Sequence, residues 1–314
     1  MEILERLKRG DIRALSKIIS LVEDQEAGYQ ELLGKLYKKV GRSLRVGITG
    51  PPGAGKSTLV NALTHEFLAG GKKVGIIAVD PTSPFTGGAL LGDRVRMSEF
   101  PTDGRVYFRS MATRGATGGL ASATGNAAVV FDAFGFDVTL IETVGVGQME
   151  LDIVDTCDTV IVVVVPESGD AVQTMKAGLM EIADIFCVNK ADRPGVERAI
   201  FDLEQAMDNR KRSDVPWSIP VLGTEAINRK NIDQLYAKIN EHVDFVKAAG
   251  KFERHRRDQV KKVLLNTLRH RFQREFLDRL TKRVEFNRVI DEIYAGRSNP
   301  FTAGNKLYEK FANH

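Results

Sequence analysis

The chain has 314 residues, 43% hydrophobic and 27% charged, with a formal net charge of +4. This length suits one full α/β domain with helical additions or two small domains, and the composition is that of a soluble globular protein. The N-terminus has no signal-peptide core, and the longest apolar run, Val160–Val165, is too short to span a bilayer, so no membrane partner is expected. Cys157 and Cys187 sit in apolar, strand-like surroundings without C-x-x-C spacing, which reads as core thiols in a reducing cytoplasm.

Residues 2 to 40 are expected to be helical, with apolar positions at helical spacing and Asp11 as an N-cap after Gly10. Gly41-Arg42-Ser43 then leads into the first strand, Leu44–Thr49. From there strands alternate with helices, which argues a mostly parallel sheet covered on both faces. The other expected strands are Lys73–Val79, Val106–Arg109, Val138–Glu142, Thr159–Val165, Ile185–Asn189 and Ile219–Leu222.

Directly after the first strand comes Gly50-Pro51-Pro52-Gly53-Ala54-Gly55-Lys56-Ser57, a full match to G-x4-G-K-S/T, followed by the helix-like run from Thr58 to Leu63. Glycines permit positive φ and close backbone approach, so N–H groups can point at phosphate oxygens, and the helix N-terminus adds partial positive charge. Gly53, Ala54, Gly55, Lys56, Ser57 and Thr58 are therefore candidate nucleotide-binding residues. Lys56 supplies charge to the β- and γ-phosphates, and Ser57 a hydroxyl ligand for Mg²⁺. His65, on the same helix, reads as structural.

Asp80 directly follows the second strand, and Asp93 follows a glycine-rich stretch. Either carboxylate could hold hydrated Mg²⁺ or orient the attacking water; the plainer alternative for each is a helix cap or a surface acid. Glu142, at the end of the fourth strand, can reach the same ion, and Gly145 can present its amide to the γ-phosphate. The run from Val144 to Gln148 is a candidate switch that responds to loss of that phosphate.

Asn189-Lys190-Ala191-Asp192 follows the sixth strand. An aspartate there can accept from both N1–H and the 2-amino group of guanine, a pair of donors adenine lacks. Such paired recognition discriminates by roughly 10⁴-fold or more. Asn189 would tie loops together, the Lys190 stem can lie over the base, and Thr224-Glu225-Ala226 is a looser candidate for a base-contacting loop, an ordinary turn being the alternative.

Beyond about residue 240 helices take over. Between Lys251 and Arg283 there are twelve lysines and arginines against four acidic residues, yet no aromatic-interleaved platform or nucleic-acid motif accompanies them, so nucleic acid is not an expected partner. Val260, Leu264, Leu268, Phe272, Phe276, Leu280 and Val284 recur every four residues, a row that winds around a continuous helix. It is expected to dock on the parent domain and on a second copy, the alternative being a helix-turn-helix packed within one chain.

Together these residues resemble the methylmalonyl-CoA mutase-associated GTPases, the MeaB/MMAA/ArgK family of the SIMIBI class. The resemblance covers most of the chain and rests on Gly47–Ser57, Asp80–Met97, Arg109–Gly115, Glu142–Gln148 and Asn189–Asp192. It implies an α/β P-loop GTPase fold with helical extensions, divided as 1–42, 43–247 and a dimerising 248–314. It further implies GTP/GDP and Mg²⁺ as ligands, with Ser57, Asp80, Asp93 and Glu142 around the metal and Lys56 joining the acids in hydrolysis. The implied role is that of a homodimeric GTPase chaperone of an adenosylcobalamin-dependent acyl-CoA mutase, which gates cofactor loading and protects or rescues the mutase. Composition and spacing carry no sign of cobalamin chemistry. Two other readings stand beside it. A metallochaperone GTPase for a nickel enzyme would normally leave a Cys/His cluster, which is lacking here. A small-molecule kinase, after an older naming of the family as a transport kinase, would need an acceptor pocket that the sequence does not reveal.

Overall fold

The computed structural model describes residues 2–80, 99–100, 103–112, 119–143, 149–166, 177–208, 217–282 and 284–312. It divides the chain into two units, Met1–Val260 and Lys261–His314.

In the first unit, seven Val/Ile-rich runs form one sheet: β1 (Leu44–Thr49), β2 (Val74–Asp80), β3 (Val106–Ala112), β4 (Val138–Glu142), β5 (Thr159–Val164), β6 (Ile185–Asn189) and β7 (Val221–Thr224). Their order is β3-β2-β4-β1-β5-β6-β7, and every pairing is parallel. β1 is central, with β4 on one side and β5 on the other, so the chain reverses its direction of travel across the sheet at β1. The crevice at the carboxyl ends of the strands there is where α/β sheets bind ligands.

Both faces are covered, which is why the strands lack alternation. On one face Val46, Ile48 and Ile76 pack with Leu59 and Leu63 of α4 (Lys56–Ala69) and with Leu235 and Ile239 of a later helix, Ile232–Ala248. On the other, Ile77, Ile141 and Val162 pack with Phe131 of Gly119–Phe134 and with Leu15, Ile18 and Ile19 of α2 (Ile12–Glu23). The N-terminal helices are α1 (Glu2–Lys8), α2 and α3 (Tyr29–Leu36). Asp11 caps α2 as expected, accepting from Arg13 N–H at 2.8 Å and Ala14 N–H at 3.2 Å. Glu23 of α2 pairs at 2.5 Å with Arg109 of edge strand β3, fixing this helical layer to the sheet.

All seven expected strands are present, β1, β4 and β6 with the expected bounds and the other four with shifted ends. β3 runs on to Ala112 because it stays in register with β2 as far as Asp80↔Ala112. β7 begins at Val221 instead of Ile219, since Pro220 has no N–H for the ladder and contributes only its carbonyl to Phe186 at 2.9 Å. Thr224 therefore lies on the strand, opposite Asn189.

The C-terminal row departs from the expectation more substantially. The helix Lys251–Phe272 passes into a π-helical turn, Gln273–Leu277, followed by the short helix Asp278–Thr281. A π-turn takes up an extra residue and shifts the phase of the helix beyond it, so Val260 to Val284 is not one continuous winding row. Val260, Leu264, Leu268 and Phe272 are 55–57% exposed, whereas Leu280 is buried. Helices Val284–Tyr294 and Pro300–Ala312 complete the second unit.

Candidate functional site

The phosphate loop depends on glycine at two places where no side chain fits. Gly50 has φ 137°, and a Cβ there would lie 2.0 Å from the Val163 carbonyl oxygen on β5. Gly55, at φ 87°, would put a Cβ 2.3 Å from Nδ2 of Asn189. The loop is thus pressed between the central strands and the Asn189 side chain, with Ala54 fully buried. α4 starts at Lys56, so its N-terminal amides open toward the loop. Lys56 is buried, and its ammonium donates to the carbonyls of Gly50 at 2.8 Å and Pro51 at 2.9 Å. Ser57 and Thr58 follow on the first turn.

β4 carries Glu142 to the same place, because its residues pair Ile48↔Glu142 with β1. Glu142 is buried and accepts the Ser57 hydroxyl hydrogen bond through Oε1. The next residue, Thr143, donates from its side chain to the Thr49 hydroxyl at 2.9 Å and from its backbone to Ile48 O at 3.0 Å. Thr143 is therefore tied to the end of β1, directly before the phosphate loop. A serine hydroxyl and a carboxylate in contact at a helix N-terminus form an all-oxygen donor set. That fits Mg²⁺, which keeps several waters and takes one or two protein ligands with substrate phosphates. Among the described residues no group of three or more His, Cys, Asp or Glu is placed to hold a metal. Asp80 closes β2 at the same sheet edge by its backbone position; Asp93 and Gly145 lie outside the described residues.

On the other side of the loop Asn189, at the end of β6, works as a bracket. Its Nδ2 donates to Ala54 O at 2.9 Å, and its Oδ1 accepts from Ala226 N–H at 3.1 Å and from the Thr224 hydroxyl at 3.3 Å. Lys190, at φ 60°, extends its ammonium to Gly53 O at 2.9 Å, and Asp192 is exposed on the turn after it. The structure thus gathers Gly53, Ala54, Gly55, Lys56, Ser57, Glu142, Asn189, Lys190, Thr224 and Ala226 into one connected region.

Some of its members carry no local sequence signal. The Thr49–Thr143 bond joins residues far apart in the chain, and each threonine alone reads as an ordinary strand residue. The turn after β7 is closed by Glu225 and Lys230, whose backbones bond in both directions at 3.2 Å and whose side chains pair at 2.6 Å. That hydrogen-bonded ammonium holds the Glu225 carboxyl below its usual range. Asn61 of α4 donates to Glu99 at 2.6 Å, and one turn on the His65 ring meets Phe100 in a tilted arrangement with centroids 5.0 Å apart. Burial, and then the nearby charge of Arg229, lower the proton affinity of His65. Cys157 and Cys187 are buried and unlinked, and burial raises both thiols, Cys187 to about 12.

A family model described as methylmalonyl-CoA mutase-associated GTPase MeaB matches residues 15–281. A candidate GTPase of Pyrococcus abyssi is 47% identical over 311 residues, covering 98% of this chain and 96% of that one. The GTPase ArgK of Escherichia coli is 33% identical, with 95% and 91% covered, and the mitochondrial methylmalonic aciduria type A homolog of Caenorhabditis briggsae is 35% identical, with 84% and 68% covered. A crystal structure of a LAO/AO transport system kinase superposes with a TM-score of 0.73 at 28% identity, covering 98% of this chain and 96% of its own. Phosphate loop, Ser57–Glu142 pair and Asn189 bracket thus stand in a chain that matches these proteins over nearly its whole length, and the chain belongs to the methylmalonyl-CoA mutase-associated GTPase (MeaB) family.

Proposed function

We propose that this GTPase is a chaperone of an adenosylcobalamin-dependent acyl-CoA mutase: it gates cofactor loading and protects or reactivates the mutase. The observation that carries this reading is the match of residues 15–281 to a family described by its association with methylmalonyl-CoA mutase. The likeness to a methylmalonic aciduria type A homolog supports it.

In this reading Gly53 to Thr58 hold the phosphates, Asn189, Lys190 and Asp192 read guanine, and Thr224-Glu225-Ala226 backs the base. Ser57, Glu142, Asp80 and Asp93 would hold Mg²⁺, which when bound would neutralise charge on the β- and γ-phosphates. Lys56 adds a fixed positive charge, the acids orient the attacking water, and the P–O bond to the GDP leaving group breaks as water adds to the γ-phosphorus. Gly145 reports the γ-phosphate to the 144–148 segment, and the Thr49–Thr143 bond holds the residue that precedes it in sequence. A mutase that binds one conformation of that segment better must, by linkage, alter nucleotide affinity.

The protein works as a homodimer in the cytoplasm, joined through residues 248–314. The half-exposed Val260, Leu264, Leu268 and Phe272 support this pairing, as does the usual need to cover a contiguous apolar surface. The buried, unlinked thiols agree with a reducing compartment. Leu268→Asp with Phe272→Asp is expected to give monomers that still bind GTP. A monomeric unaltered protein at micromolar concentration in light scattering would contradict the pairing. The chaperone role is tested by loading apo-mutase with adenosylcobalamin in the presence of this protein and GTP or GDP. Transfer should depend on the nucleotide; equal transfer with both, and with the protein omitted, would remove the proposal.

A further inference from the structure

The turn after β7 holds two consecutive basic residues with different fates. Lys230 is engaged by Glu225 at 2.6 Å. The Arg229 guanidinium makes no hydrogen bond or ion pair with any of the described residues. Its backbone is firmly placed nonetheless. Arg229 ends the single 3₁₀ turn Ala226–Asn228 at φ 54°, its N–H bonded to Ala226 O at 3.3 Å. Asn231, at φ 60°, donates from its side chain to Gly223 O at 2.8 Å, and Ala226 is bonded through Asn189 to the phosphate loop. A cation with no hydrogen-bond or ion-pair partner among the described residues is thus carried on a turn that is itself bonded to the phosphate loop through Asn189.

A cavity of about 330 Å³ lies beside that turn. Ser57 and Thr58, from the first turn of α4, line it together with Glu142, Phe108 and Arg229. The cavity is therefore continuous with the phosphate and metal end of the site, and Arg229 stands on its wall. Guanidinium stays charged at all working pH values and presents a planar fork that matches phosphate oxygens. Its charge also reaches His65 of α4, whose proton affinity burial lowers first and Arg229 second.

We propose that Arg229 is a further phosphate-binding residue, pairing with the phosphate chain of the bound guanine nucleotide as a second cation beside Lys56. The inference rests on this site being the guanine-nucleotide site of the GTPase. It assigns the basic residue to nucleotide retention, independently of hydrolysis and of any protein partner.

The test is calorimetry of GDP, GTP and inosine diphosphate with the full-length protein, as the unaltered chain, Arg229→Ala and Arg229→Lys, at low and high salt. Arg229→Ala should weaken GDP and GTP about five- to thirtyfold, and the salt dependence of binding should become shallower. The preference for GDP over inosine diphosphate should stay within about twofold, because the base-reading residues are untouched. Arg229→Lys should recover part of the loss. GDP affinity unchanged by Arg229→Ala would overturn the proposal. So would loss of the preference for GDP along with affinity, because that pattern marks a deformed base loop. Failure of the unaltered protein to bind GDP at all would remove the site reading beneath it, a result recognisable without any variant.

Discussion

Asn189 is bonded to Ala54: its Nδ2 lies 2.9 Å from the alanine carbonyl, across a sequence separation of 135 residues. The same side chain accepts from Ala226 N–H, so one buried amide sets the spacing between the phosphate loop and the turn after β7. Asn189→Ala would leave a buried carbonyl and a buried N–H without this partner, at about 1–3 kcal/mol each. The variant should unfold at distinctly lower urea concentration and bind GDP at least tenfold more weakly. Equilibrium unfolding and calorimetry check both, and an unchanged midpoint would contradict the bracket.

Asp192 is exposed on the turn after β6, where its two carboxylate oxygens suit the two donors on the guanine edge. GDP and GTP should bind far more tightly than ADP and ATP. Asp192→Asn replaces one acceptor by a donor and should shift preference toward xanthine nucleotides. Competition binding with guanine, adenine and xanthine nucleotides measures this, and equal affinity for GTP and ATP in the unaltered protein would rule out guanine reading by this turn.

Lys56 and Glu142 separate positioning from charge. Glu142→Gln keeps a hydrogen-bond partner for Ser57 but removes a negative charge beside the metal position, so turnover should fall steeply while Mg²⁺-free nucleotide affinity changes little. Lys56→Ala removes a charge-assisted contact of about 1.5–3 kcal/mol and should depress both affinity and turnover. Single-turnover hydrolysis beside binding measurements distinguishes the two. Full turnover in both variants would displace the proposed centre.

His65 gives a pH-dependent test. Burial, and secondarily Arg229, lower its folded pKa below the ordinary histidine value of 6.5, so the unfolded chain binds the proton more readily. The associated stability is present above about pH 6.5 and is lost as the pH falls through the folded value. Between pH 7.5 and 5 the unaltered protein should lose stability relative to His65→Leu, as measured by urea midpoints. Parallel pH profiles would contradict it.

Much of this arrangement was legible in the sequence because its signals are local. The Gly50–Ser57 loop, the seven Val/Ile runs and the Asp11 cap each rest on neighbouring residues, and all are found. Asn189 was legible as a tie between loops, though not its partners Ala54 and Ala226, and the bonds Thr49–Thr143 and Arg109–Glu23 were not legible: they join residues brought together only by strand order and helix packing. The winding C-terminal row failed for a related reason. Its four-residue spacing assumes an unbroken α-helix, and periodicity gives no sign of the π-turn at Gln273–Leu277. Arg229 lies in a polar turn, where one basic residue looks like another until Lys230 is seen paired with Glu225.

GTP turnover by this protein, with and without a cobalamin-dependent acyl-CoA mutase from the same organism, tests the proposed chaperone role most directly. Segments beside Glu142 and Thr143 are expected to respond to the γ-phosphate, and a partner that orders them should speed hydrolysis. Turnover should rise and saturate as the mutase is added, and Glu142→Gln should abolish the rise. Turnover unchanged at saturating concentrations of every such mutase would contradict that role.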